Sequence, residues 1–143
     1  MIASFISHGS TVQISEITIN DPRIAGYAGY DRNGALTHAV FINSIAYLST
    51  TTTPRGTVQL NINVCQGKTA PSNCLNSGFG KALTMSVRRL NIRYADDTAG
   101  LTFAGQSYET PNGLVSGKEV VETVPVLAGL TIKDTEAVLV EFI

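Results

Sequence analysis

The 143-residue chain is 43% hydrophobic and only 15% charged, enough for one core in one domain and too apolar for a disordered chain. Its net charge of -1, with Arg88-Arg89 the only basic pair, excludes an electrostatic footprint for nucleic acid or an anionic membrane surface. No run approaches the ~18 apolar residues that span a bilayer, and the first residues lack the basic start and long apolar centre of a secretory signal.

Ile2, Phe5 and Ile6 form a helical stripe too short to stand alone, so residues 1–8 read as the tail of a longer helix. Val12 and Ile14, then Ile17 and Ile19, are alternating pairs whose phase shifts near Ser15-Glu16, which predicts a bulge there. Asn20-Asp21-Pro22 turns the chain. Ile24 to Tyr30 follows as a strand in which Gly26 and Gly29 permit close backbone approach. Asp31-Arg32-Asn33-Gly34 is a strong hairpin signal, and Ala39-Val40-Phe41-Ile42 beyond it predicts the central, doubly covered strand of a sheet.

The Thr-rich stretch Ser49 to Pro54 reads as a surface loop, and Val58, Leu60, Ile62 and Val64 as a half-buried strand. Cys65 and Cys74 flank a loop rich in turn formers, which a local disulfide would close; a pair of free thiols is the other reading. Gly78-Phe79-Gly80-Lys81 lacks the remaining glycines and the Ser/Thr of a phosphate loop, so the insert from Cys65 to Lys81 is expected to be a long loop. Leu83, Met85 and Val87 open a strand with an irregularity at Arg88-Arg89, because strict alternation would put Val87 and Leu90 on opposite faces. Asp96-Asp97 sits in a turn, Leu101 to Gly105 and Gln106 to Thr110 are extended, and Asn112-Gly113 turns the chain again. Val120, Val121, Val124 and Val126, then Leu130 to Ile132, then Ala137 to Ile143, complete about nine strands with no internal helix. The expected fold is all-β: one domain over residues 1–143, an antiparallel two-sheet sandwich of 8–9 strands.

Chemistry-bearing patterns are sparse. Glycoside hydrolysis needs two carboxyl groups facing across a sugar, and Asp96, Asp97, Glu109, Glu119, Glu122, Glu136 and Glu141 give no sign of a shared pocket. His8 and His38 stand alone, so no metal site is expected, and no cofactor is implied. Ser116 lies in a sequence without the spacing of a nucleophile elbow. Five tyrosines, Tyr27, Tyr30, Tyr47, Tyr94 and Tyr108, could stack on sugar faces, although core tyrosines with the hydroxyl at the rim explain them as well.

The wording from Tyr94 to Thr110, YADDTAGLTFAGQSYET, followed by GLVSG at 113–117, resembles the C-terminal β-domain of fungal glycoside hydrolases of family 79, which holds β-glucuronidases and heparanase-type enzymes. The resemblance extends to Ala39–Ser44, Ala46–Leu48 and Thr135–Val140. It implies a non-catalytic accessory domain that supports the folding and secretion of a catalytic barrel, with the enzyme's Glu pair on the barrel and outside this chain. It also implies an extracellular setting, which favours the Cys65–Cys74 disulfide, and makes residues 1–8 the end of a barrel helix and Met1 a start imposed on an internal segment. The resembled enzymes complete their β-domain with strand material from before the barrel. This sequence has none, so an open strand edge, an apolar patch and self-association as a homodimer are expected. The alternative is a stand-alone carbohydrate-binding or lectin-like protein derived from that domain.

Overall fold

The computed structural model describes residues 13–65, 75–76 and 84–143. Its strands are β1 Gln13–Glu16, β2 Ile24–Tyr30, β3 Leu36–Asn43, β4 Thr57–Leu60, β5 Val64–Cys65, β6 Leu75–Asn76, β7 Thr84–Asn91, β8 Thr102–Phe103, β9 Glu122–Pro125, β10 Leu130–Lys133 and β11 Glu136–Phe142. A single 3-10 turn, Val126–Ala128, stands between β9 and β10. The large sheet runs β1-β2-β3-β11-β7-β8, antiparallel throughout, with β9 on the same edge of β7 as β8 but at its other end. A second layer, the β10-β4 pair, lies over one face of it, and β5 and β6 make a short parallel pair.

The core lies between these layers. Ile24, Ala28, Ala39, Phe41, Met85, Val87, Val138 and Val140 project from the large sheet, and Val58, Leu60, Leu130 and Ile132 close on them from β4 and β10. The expected two-sheet sandwich is therefore present, with β3 as the covered central strand between β2 and β11. The Asp31–Gly34 hairpin also forms: the Asp31 carboxylate accepts the N–H of Asn33 at 2.8 Å and of Ala35 at 2.9 Å, and Gly34 takes φ 75°. Gly26 serves close approach, since a Cβ there would sit 2.7 Å from Ile19 Cδ1 and 3.1 Å from Phe41 Cδ1.

Several local expectations are corrected. No bulge interrupts β7 at Arg88-Arg89; its pairing with β11 is regular from Met85 to Asn91. Strict alternation holds because Arg89 points inward to a pair of carboxylates, which leaves Leu90 on the outer face. The pairing of β1 with β2 is regular too, and Ile17 N–H continues it to Gly26 O at 2.8 Å; the phase shift arises because Ile14 is exposed while Ile17 and Ile19 pack on the core. The one register shift along β2 falls at Gly29/Tyr30. The alternation from Val58 to Val64 belongs to two strands, β4 and β5, although Ile62 between them still reaches the core. The extended stretch expected from Leu101 to Thr110 is broken after Phe103, where Ala104 and Gly105 adopt φ of 49° and 75° and fold a tight turn back to Gln106. Val120 and Val121 precede β9, and Val126 lies in the 3-10 turn. The helical tail at residues 1–8, most of the insert and Cys74 fall outside the described residues, so the disulfide does as well.

Candidate functional site

The outer face of the large sheet, away from β4 and β10, is graded along its strands. Cross-strand register sets Ile42, Ala137, Leu90 and Phe103 in one row and Tyr27, Val40, Leu139 and Arg88 in the next. The third row is polar: His38, Glu141 and Ser86. Phe103 packs on Val40 and Leu139, which are buried with no second layer over them among the described residues. At the apolar end, Ile42, Leu90, Ile92, Leu101 and Ala137 line an open groove of about 210 Å³ together with Asn43, Thr135 and Glu136. Ile42 is 39% and Leu101 42% exposed, so the groove's rim meets water.

Three connections surround this end, and hydrogen bonds fix them to one another. Thr135 donates its N–H to Ile45 O at 2.8 Å, and its hydroxyl oxygen accepts the Tyr47 N–H at 2.7 Å. Ala95 N–H donates to Tyr47 O at 2.7 Å, and Ser49 donates both its N–H and its hydroxyl to Asp96, at 3.0 and 2.7 Å. Those two donors, the hydroxyl first, hold the Asp96 carboxyl below its ordinary pKa. Asp134 accepts from Asn43 Nδ2 at 3.2 Å and from the Gly56 N–H at 3.0 Å, and Arg55 Nε donates to the Asp134 carbonyl at 2.7 Å. Thr135 itself stands at φ 59°, a costly conformation for a β-branched residue, and these bonds hold it there. Asp96 and Asp97 thus do structural work, as the turn reading expected; the Asp97 carboxylate accepts the Tyr94 N–H at 3.1 Å. Ile45 and Leu48 are exposed on the same hydrogen-bonded loop.

The carboxylates are gathered by the two arginines that read as an irregular strand. On the outer face Arg88 meets Glu119 at 2.9 Å and Glu141 at 3.5 Å. On the inner face Arg89 meets Glu122 at 2.7 Å and Glu136 at 3.1 Å. Burial works against the Arg89 charge, but hydrogen bonds and attraction from Glu122 and Glu136 more than offset it and raise its pKa. Arg89 also donates to Thr131 O at 2.9 Å, and Glu136 accepts the Lys133 N–H at 2.8 Å, so these side chains tie β10 to the large sheet. Glu109 accepts the N–H groups of Gly100 and Leu101. Among the described residues no three His, Cys, Asp or Glu side chains converge as metal ligands.

Of the five tyrosines, two come together: Tyr47 and Tyr94 stack with ring centroids 5.3 Å apart, and Arg93 lies 5.0 Å over the Tyr94 ring. Tyr27 stands on the outer face, Tyr30 packs against the core with its phenol pKa raised by burial, and Tyr108 is exposed on the excursion between β8 and β9. The groove was missed in the sequence reading. Its signal was there in the same-face spacing of Leu90 and Ile92, which the assumed irregularity obscured.

The sequence profile described as Glycosyl hydrolase family 79 C-terminal beta domain matches residues 26–139. No curated protein sequence matches the chain. Among solved structures, the chain is similar to the crystal structure of a 4-O-alpha-L-rhamnosyl-beta-D-glucuronidase from Fusarium oxysporum 12S in its Rha-GlcA complex, with 21% identity and a TM-score of 0.67. That likeness is one of fold, and it covers 93% of this chain and 26% of the enzyme's. The chain therefore spans about a quarter of the length of the protein it matches.

Proposed function

We propose, on the premise that this chain belongs to the family of glycosyl hydrolase family 79 C-terminal beta domains, that it is the non-catalytic accessory sandwich of a larger secreted glycosidase, seated on the catalytic domain through the apolar end of its outer face. The observation that carries this reading is the groove lined by Ile42, Leu90, Ile92, Leu101 and Ala137, apolar, open and framed by immobilised loops. Burying the exposed part of Ile42 and Leu101 is worth about 1 kcal/mol per side chain, a useful increment on a prefixed surface.

The non-catalytic role is supported by the carboxylates, since Glu119, Glu122, Glu136 and Glu141 are each engaged by an arginine. Glucuronidase chemistry is a property of the enzyme whose fold this chain shares in part, and it would reside in the rest of the parent chain. An extracellular site follows from the same reading, and with it a Cys65–Cys74 disulfide; non-reducing mass should then fall two hydrogens short of the reduced chain. Stand-alone glycan binding is the weaker reading, because Tyr47 and Tyr94 cover one face of each other.

Intact mass from the native source tests the proposal. Peptides of this sequence should appear at the C-terminal end of a species several times larger than 15.2 kDa. A native species of about that mass which turns over an aryl glucuronide by itself would overturn it.

A further inference from the structure

Two Asn-Gly pairs serve neither the core nor the groove. Asn33-Gly34 closes the β2–β3 hairpin, and Asn112-Gly113 tips the excursion between β8 and β9. Both are exposed, and their glycines share the left-handed conformation, with φ of 75° and 70°. Both glycine amides are tied alike: Gly34 N–H donates to Asp31 O and Gly113 N–H to Thr110 O, each at 3.0 Å. A glycine following asparagine leaves the backbone nitrogen unshielded by a Cβ, so it can approach the side-chain carbonyl carbon.

The pairs differ in the asparagine side chain. Asn112 Oδ1 accepts from the Leu114 N–H at 3.3 Å, and the Thr110 hydroxyl, 3.2 Å from the same oxygen, donates its proton to Leu114 O at 2.5 Å and closes the loop on the Asn112 side chain. The Asn33 side chain makes no hydrogen bond among the described residues; its turn is held by the neighbouring Asp31 carboxylate instead. We propose that Asn33 is the protein's site of spontaneous deamidation and isoaspartate formation, and that Asn112 is protected by the Leu114 bond and the loop that the Thr110 hydroxyl closes around it.

In the reaction Gly34 N bonds to Asn33 Cγ and loses its proton, and the side-chain nitrogen leaves as ammonia, giving a cyclic imide. Water then opens either carbonyl, yielding aspartate or isoaspartate. No redox partner is required. Each event adds one negative charge to the net -1. The isoaspartate product also carries an extra main-chain carbon in the turn, which displaces the N–H groups that Asp31 accepts. The hairpin should loosen, while the groove lies at the opposite end of β3 and should not respond.

The test is incubation of the full 143-residue chain in mildly alkaline buffer, with peptide mapping that separates aspartate from isoaspartate. Asn33 should convert about tenfold faster than Asn112, because the Leu114 bond and the Thr110 closure must open before Asn112 can react. Thr110→Val removes the hydroxyl that closes the loop on Leu114 and should accelerate Asn112 without changing Asn33. Conversion of Asn112 as fast as Asn33 would overturn the proposal. So would an unreactive Asn33 in the folded chain when the denatured chain reacts at both, or a Thr110→Val variant in which Asn112 is no faster.

Discussion

The two faces of the large sheet are built from alternate residues of the same strands, yet they have different fates. On the inner face Phe41, Val138 and Val87 meet β4 and β10 and are at most 2% exposed. On the outer face their chain neighbours Ile42, Ala137 and Arg88 face no second layer among the described residues, and Ile42 remains 39% exposed. Apolar content does not separate them, since both faces carry it. What separates them is the covering layer, and the outer face is apolar only at the end framed by the pinned loops. A sheet that had evolved for water on that side would continue the polar row of His38, Glu141 and Ser86 along its whole length.

The sharpest contrast between the faces should come from truncation. Ile132→Ala, at a fully buried inner position, should cost about 3–4 kcal/mol through lost burial and a cavity, read by denaturant unfolding. Leu101→Ala on the outer face should cost under about 1 kcal/mol, because its side chain is already part-solvated. Equal losses would break the comparison.

Arg89→Met should come next, at about 2–3 kcal/mol, because it leaves Glu136, whose side chain is 1% exposed, without its cation. Adding Glu136→Met should recover part of that loss. An additive double variant would mean that the pair does not act as a unit.

How much of this was legible in the sequence depended on whether a residue's role was local. The Asp31–Gly34 turn and the apolar run of β3 were readable because each rests on neighbouring residues. Arg89 was misread because its inward position depends on Glu122 and Glu136, 33 and 47 residues away, and a charged residue on a core face looks like a break in periodicity. The groove needed Ile42, Leu90 and Ala137 abreast, which only the register across β3, β11 and β7 supplies. The arginine partners of the carboxylates were invisible without that register.

The smallest effect concerns charge at the surface. The Arg23 guanidinium, first by hydrogen bonding, lowers the Asp21 pKa from 3.8 to about 2. A depressed folded-state pKa gives stability that is present above the unfolded value and lost as pH falls through the folded one. Asp21→Asn should therefore lower Tm slightly near neutrality and flatten the shallow loss of stability between about pH 4 and pH 2, so that variant and parent converge at low pH. A Tm difference that grows as pH falls from about 4 to about 2 would contradict the assignment.

The most direct test of the account is sedimentation of the isolated chain at high concentration, beside the double variant Ile42→Asp, Leu101→Asp. If the outer face is made to be covered, the parent sequence should self-associate and bind an apolar dye, and the variant should sediment as a monomer with a nearly unchanged Tm. A parent sequence that stays monomeric and dye-free at every concentration would contradict the central claim, because the groove would then be an ordinary water-facing surface.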